Sequence, residues 1–134
     1  MELDKRVAEY VRMIMNDANI LLNANSNLSP KQRKYIEQIA RTSGYLMEAY
    51  NQYASALANK VSPNERKALD GNISHDLGEF FVVVKTRLYL VEKIDSTVSW
   101  TEAHKSILVN IEQFASLIWR ERYRFDDYLI PTER

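Results

Sequence analysis

Apolar residues recur in steps of three and four along almost the whole chain, which is the spacing of helices with one buried face. Polar breaks near residues 23–27, 59–61 and 95–98 divide the pattern into four stripes. The third stripe is Leu69, Ile73, Leu77, Phe80, Phe81, Val84, Leu88 and Val91, and the fourth is Ile107, Ile111, Phe114, Ile118 and Phe125. With only three glycines and three prolines, the chain is poor in turn residues, which argues against a β-rich fold.

Capping residues stand where the second and third helices should begin. Ser29 precedes Pro30, so a side chain that caps a helix is followed by the residue best tolerated at its first position. Ser62 and Pro63 repeat this arrangement, and Glu65 completes the pattern of a capping box. These signals predict helix starts at Pro30 and Pro63.

The limits of the third and fourth helices are less sharply marked. Residues 70–72, an Asp-Gly-Asn sequence, interrupt the third stripe, and we expect them to kink or divide that helix. Ser99 with Glu102, or alternatively Thr101, can cap the fourth helix. Pro131 is expected to end it.

Four long helices joined by short links predict an all-α fold, an antiparallel four-helix bundle. Short connections force consecutive helices to run in opposite directions. The bundle can be divided into two helical hairpins, residues 1–58 and about 62–130, within a single domain of residues 1–134.

Composition removes several classes of function. The 18 basic and 18 acidic residues cancel, so there is no electrostatic case for nucleic acid or an anionic membrane as partner. Cysteine is absent, which excludes disulfides, thiolate metal sites and thiol catalysis. No apolar run reaches the ~18–20 residues of a membrane span, and the start of the chain is charged, so we expect a cytoplasmic protein.

Two segments carry a family resemblance. Residues 28–47 resemble the second helix of the dimerisation and histidine-phosphotransfer domain of sensor histidine kinases. Ser74-His75-Asp76-Leu77 is similar to the first half of the box that holds the phosphoacceptor histidine in that family. The resemblance implies helical hairpins, with His75 as phosphoacceptor and Asp76 as its polar partner.

The second half of the box departs from the family. Gly78, Glu79 and Phe80 stand where the family has arginine, a threonine or asparagine, and proline. The family's polar residue at the position of Glu79 helps to place water for dephosphorylation, and a glutamate would instead repel a phosphoryl group. Phosphatase activity is therefore not expected. No glycine-rich phosphate loop occurs either, so we do not expect autophosphorylation from ATP.

The two hairpins align with each other in their apolar positions. A shift of 70 residues matches the first stripe to the third, and a shift of 72 matches the second to the fourth. Lys5 then occupies the position of His75. In the kinases two hairpins from two chains form the bundle, so one chain with two hairpins can form it alone. Any two helical hairpins share such a pattern, however, and a duplication remains one of two interpretations.

Helical geometry places His75 on an outer face. It precedes Leu77 by two residues, a rotation of about 200° from the buried seam. Glu79, Val82, Thr86 and Tyr89 follow on the same face, and we predict that they bind a partner, since Val82 and Tyr89 add apolar area. We name these residues, with His75, the α3 strip. Asp76 is adjacent and is expected to orient the imidazole or accept its proton.

The sequence thus predicts a phosphotransfer protein that relays a phosphoryl group between His75 and a receiver domain. The receiver brings its own magnesium in this family, so the chain needs no cofactor or metal. The alternative is a non-catalytic adaptor that binds a histidine kinase, a receiver or another protein without phosphotransfer; a structural bundle outside such signalling is a third. We expect a monomer or a weak homodimer.

Other polar features are expected to be structural. His104 lies in the first turn of the fourth helix, and we interpret it as exposed and without a chemical role. Arg120, Arg122 and Arg124 alternate with Glu121 and Tyr123, a pattern typical of a solvated, charge-balanced helix end. Neither histidine belongs to the Glu-x-x-His pairs of a di-iron bundle.

Overall fold

A computed structural model of the chain describes residues 2–23, 28–93 and 100–126. It contains four helices: α1 (Glu2–Asn23), α2 (Pro30–Ala58), α3 (Pro63–Lys93) and α4 (Glu102–Asp126). No strand occurs within these ranges. The predicted all-α four-helix bundle is confirmed.

The helix starts follow the capping residues. Ser29 accepts the backbone N–H of Gln32 at 3.1 Å, and the Gln32 side chain accepts the Ser29 N–H at 2.9 Å. Ser62 and Glu65 form the same reciprocal pair. For α4 the structure selects Thr101, whose hydroxyl accepts the His104 N–H at 3.1 Å. The alternative cap, Ser99, lies outside the described residues, as does Pro131.

Each helix packs against its two neighbours, and α1 packs against α4 to close the ring. The centre is filled by aliphatic side chains from all four helices; the largest fully buried ones include Ile14, Leu21, Ile36, Ile39, Leu77, Ile111 and Ile118. At one end Tyr50, Tyr53 and Phe125 form edge-to-face ring contacts. Near the other end the buried Gln32 amide donates to the Val91 carbonyl at 3.0 Å, joining α2 to α3.

Helix α3 is continuous through residues 70–72, so the expected division there is wrong. The reason lies in the contacts of Asp70, of which the one with Tyr53 of α2 is not visible in the local sequence. The Asp70 carboxylate is fully buried and accepts hydrogen bonds from Tyr53 at 2.5 Å and Arg66 at 3.2 Å. Its side chain is thereby occupied and does not compete with the helical backbone.

The core face of α4 differs from the predicted seam. Leu108, Ile111, Ala115, Ile118 and Phe125 are buried, whereas Ile107 and Phe114 are only partly buried. Phe114 instead contacts Tyr10 of α1, with ring centroids 6.0 Å apart. Since α4 packs between two helices, apolar residues beside the central face are covered by a neighbour as well.

The positions that the 72-residue shift aligns share the same depth. Ile36, Ile39, Leu46 and Tyr53 of α2 are buried, and so are their counterparts Leu108, Ile111, Ile118 and Phe125 of α4. In the first helices the agreement is looser, because Phe81 is partly buried where its counterpart Val11 is buried. The two hairpins therefore contribute similar faces to one core.

Candidate functional site

His75 lies on the outer face of α3, where its side chain is 74% exposed. Its Nε2 atom is 2.9 Å from Oε2 of Glu79, one turn further along the helix, and the Glu79 side chain is 68% exposed. The helical spacing placed both residues on this face, and their contact follows from the four-residue separation. The imidazole is open to an incoming group on its other sides.

The remaining residues of the α3 strip lie where the periodicity predicts. Val82 and Tyr89 are among the large apolar side chains that the fold leaves exposed, and Thr86 is exposed between them. They continue along α3 from the turn that holds His75. The strip therefore has an exposed imidazole at one end and exposed apolar side chains further along the helix.

The contact with Glu79 determines which ring nitrogen is available. When the ring is neutral and Nε2–H is donated to the carboxylate, Nδ1 is the nitrogen that carries the free lone pair. Movement of Glu79 would release Nε2 as well. The access to Nε2 and the charge beside it therefore depend on the Glu79 carboxylate.

Asp76 lies on the other flank of α3, because consecutive helical residues are rotated by about 100°. It lines a groove of about 280 Å³ between α2 and α3, together with Thr42, Tyr45 and Glu79 among others. Burial raises the pKa of the Asp76 carboxyl; the nearby imidazole of His75 opposes this and Glu79 adds to it. The imidazole contact in this structure is with Glu79, and the predicted role of Asp76 beside His75 stays a prediction.

A second groove, of about 470 Å³, lies on the α4 side of His75. Its lining residues come from two helices: Ser74, His75, Gly78, Glu79, Val82, Val83, Trp119 and Arg122. A Cβ atom at Gly78 would lie 3.5 Å from Cδ of Arg122 and 3.6 Å from the Trp119 ring. Gly78, which departs from the family box, is thus the position against which the Arg122 and Trp119 side chains of α4 pack. We name this the His75 groove.

Sequence reasoning missed Arg122 and Trp119. The Arg122 guanidinium stacks over the Trp119 ring at 3.7 Å and over the Tyr123 ring at 4.6 Å. Trp119 in turn packs on Phe81 of α3, with ring centroids 4.7 Å apart. Nothing in the alternating charges of α4 shows which arginine faces His75, since that depends on how α4 is rotated against α3.

The same end of α4 is less solvated than expected. Glu121 is buried, and its carboxylate pairs with Arg6 of α1 at 3.2 Å and with Arg124 at 2.9 Å. The prediction of a solvated, charge-balanced end is therefore wrong for Glu121 and Arg122. Both are covered because this part of α4 is flanked by α1 and α3.

Two further positions complete the comparison with the sequence. Lys5, which the repeat aligns with His75, is exposed on α1. His104 is partly buried rather than exposed, with its ring at 86° to that of Trp100 and 6.4 Å away. Its partly covered position distinguishes it from His75, as does the lack of a contact with any carboxylate of the described residues.

The described residues lack two features. They contain no group of three or more histidine, aspartate or glutamate side chains placed to hold a metal ion. No helix among them is long and apolar enough to cross a membrane.

No known protein family, curated protein or solved structure matches the chain. The geometry around His75 is therefore the basis on which a function can be proposed.

Proposed function

We propose that the protein relays a phosphoryl group between His75 and an aspartate of a receiver domain in the cytoplasm. The observation that carries this proposal is the exposed imidazole on the outer face of α3, with the α3 strip continuing beside it. An incoming domain can contact Val82 and Tyr89 while its active site meets the histidine. The partly matched sequence box supports the same conclusion.

The chemical step requires little from this chain. A ring nitrogen of His75 forms the N–P bond as the P–O bond of the aspartyl phosphate breaks, and the electron pair returns to the receiver's carboxylate. The imidazole proton leaves to solvent, to which the ring is open. Catalysis is then mainly a matter of positioning and of charge around the transferred group.

The test uses receiver domains loaded with radiolabelled acetyl phosphate. We expect at least one to label the wild-type protein, His75→Ala to remain unlabelled, and His104→Ala to behave as the wild type. His104 is the matched control because it is the second histidine of the chain. Equal labelling of wild type and His75→Ala would contradict the proposal.

The second candidate is a non-catalytic adaptor, favoured by the Glu79 carboxylate on Nε2 of His75. A negative group at that place repels an approaching phosphoryl group, while the apolar part of the strip can still bind a protein. In that case His75→Ala keeps both the binding of a receiver or kinase and the cellular effect. Loss of the effect with intact binding would rule out the adaptor.

We further propose that the protein is a monomer or a weak homodimer. The ring of four helices already covers the apolar faces of both hairpins. In the kinase family a second chain is needed to complete the bundle, whereas here one chain completes it.

A further inference from the structure

We propose that Arg122 is the phosphoryl-binding residue of His75, held in place by its stack on Trp119. This inference rests on the proposed function, since it concerns the group that His75 would carry. It assigns a role to the far side of the His75 groove, which neither the sequence pattern nor the family box indicates.

Arg122 and His75 border the same groove from two different helices. Gly78 follows His75 by three residues and lies on a neighbouring part of the same helix surface. The Arg122 stem passes 3.5 Å from the place of a Cβ on Gly78, and both Arg122 and His75 line the groove. A side chain at Gly78 would narrow the space that the two share.

The Arg122 guanidinium is held by its stack on the Trp119 ring. Trp119 is fixed by its contact with Phe81, and the guanidinium lies on its ring at 3.7 Å. Stacking leaves the N–H groups at the edge of the guanidinium plane directed sideways rather than into the ring. Those donors form the fork that matches two phosphoryl oxygens. The Arg122 side chain is therefore already ordered in the folded protein, and binding an anion costs less of its conformational entropy.

The His75 groove carries opposite charges on its α3 and α4 sides. Among the described residues that line the His75 groove, Arg122 supplies the permanent positive charge and Glu79 the negative one. A phosphoryl group on His75 would be repelled by Glu79 and attracted by Arg122. We infer that it displaces the carboxylate and turns toward α4.

The test uses phosphoramidate, which phosphorylates histidine without a partner protein. The P–N bond of the reagent breaks as the histidine N–P bond forms, and ammonia leaves with the imidazole proton. The rate of labelling and the ³¹P chemical shift of phosphohistidine are followed against pH. His75→Ala measures the background from His104, and the Arg120→Gln variant, an exposed position on the same helix, is the matched control.

We expect Arg122→Gln to slow labelling of His75 by about five-fold, the size of a partly exposed charge interaction. Loss of the cation should also move the ³¹P titration of the phosphoryl group to higher pH, an effect that a purely structural residue would not have. Arg122→Lys should restore part of both effects, and Arg120→Gln should match the wild type. High salt should reduce the difference between the wild type and Arg122→Gln.

Wild-type rate and an unchanged ³¹P titration in Arg122→Gln would overturn the inference. If that variant does not fold, Arg122→Met keeps an apolar stem on Trp119 without charge and is judged by the same two readouts. The proposed function can fail separately. If no receiver labels His75 but Arg122→Gln still shifts the phosphohistidine titration, the anion-binding role stands and the relay does not.

Discussion

Glu79 has two opposing effects on His75. Its carboxylate orients the imidazole through the 2.9 Å contact, and it also occupies Nε2 and adds a negative charge beside the reactive ring. A phosphoryl donor is itself anionic, so the Glu79 carboxylate repels it as it approaches His75. The same carboxylate also repels the phosphoryl group once it is bound to the ring. The residue that stabilises the resting side chain therefore opposes the proposed chemistry.

We expect Glu79→Gln to accept phosphoryl from phosphoramidate about two- to five-fold faster than the wild type, since one exposed like charge is removed. The amide keeps the size of the side chain and a hydrogen bond to the ring. Labelling rates are compared under identical ionic strength, with Glu112→Gln on α4 as the control for a loss of net charge. A slower Glu79→Gln would show that the carboxylate acts as a base instead.

Asp17 on α1 is a second acidic residue whose environment disfavours its charge. Its Oδ2 atom is buried without a hydrogen-bond partner, and burial raises the pKa of its carboxyl above the ordinary 3.8. A raised pKa means that the folded state binds the proton more tightly than the unfolded state. Asp17 therefore costs stability progressively as the pH rises from the ordinary value through the raised one.

Asp17→Asn should accordingly raise the free energy of unfolding at pH 7, by less than about 1 kcal/mol because the carboxyl is partly solvated. At pH 3 the gain should disappear, since the aspartic acid is then neutral in both states. Urea denaturation at the two pH values measures this, with exposed Glu9→Gln on the same helix as control. An equal gain at both pH values would mean that the charge is not its cause.

At the scale of the elements, helix starts were predictable because capping is local. Ser29 and Ser62 hydrogen-bond residues three positions away, and the sequence shows both partners. The continuity of α3 was not predictable, because it depends on Tyr53 of α2 reaching Asp70, in addition to the Arg66 contact within one turn of α3. The α3 strip followed from periodicity within one helix. The His75 groove needed the rotation of α4 against α3, which no single stripe determines.

The buried Asp70 cluster joins α2 to α3 and yields a prediction at this scale. Tyr53→Phe removes the hydroxyl that donates to the Asp70 carboxylate at 2.5 Å and leaves the ring contacts in place. A hydrogen bond to a buried charge contributes about 1.5–3 kcal/mol. The free energy of unfolding of the variant, measured by urea denaturation, should therefore be lower by that amount. Tyr45→Phe, at an exposed position on the same helix, should change stability little. Equal stability of the two variants would contradict this account.

For the whole molecule, closure of the ring determines what the α3 strip can be used for. Because α1 packs on α4, each helix has two covered flanks and one outer face. In a bundle formed by two chains, the histidine faces appear twice, related by symmetry. Here the matching position on α1 carries Lys5, so the described part of the chain presents one histidine face.

This asymmetry predicts a stoichiometry as well as an oligomeric state. Sedimentation should show a monomer at micromolar concentration, because the faces that would pair hairpins from two chains are already covered within one. Phosphorylation should then reach one phosphoryl group per chain at His75, with Lys5 unreactive toward the same donors. An obligate dimer with exchanged hairpins would contradict the closed ring. A Lys5→His variant tests the symmetry directly. If the two hairpins are equivalent scaffolds, this variant should accept a second phosphoryl group, at residue 5. If phosphorylation depends on Arg122, His75 should be labelled faster than the new histidine.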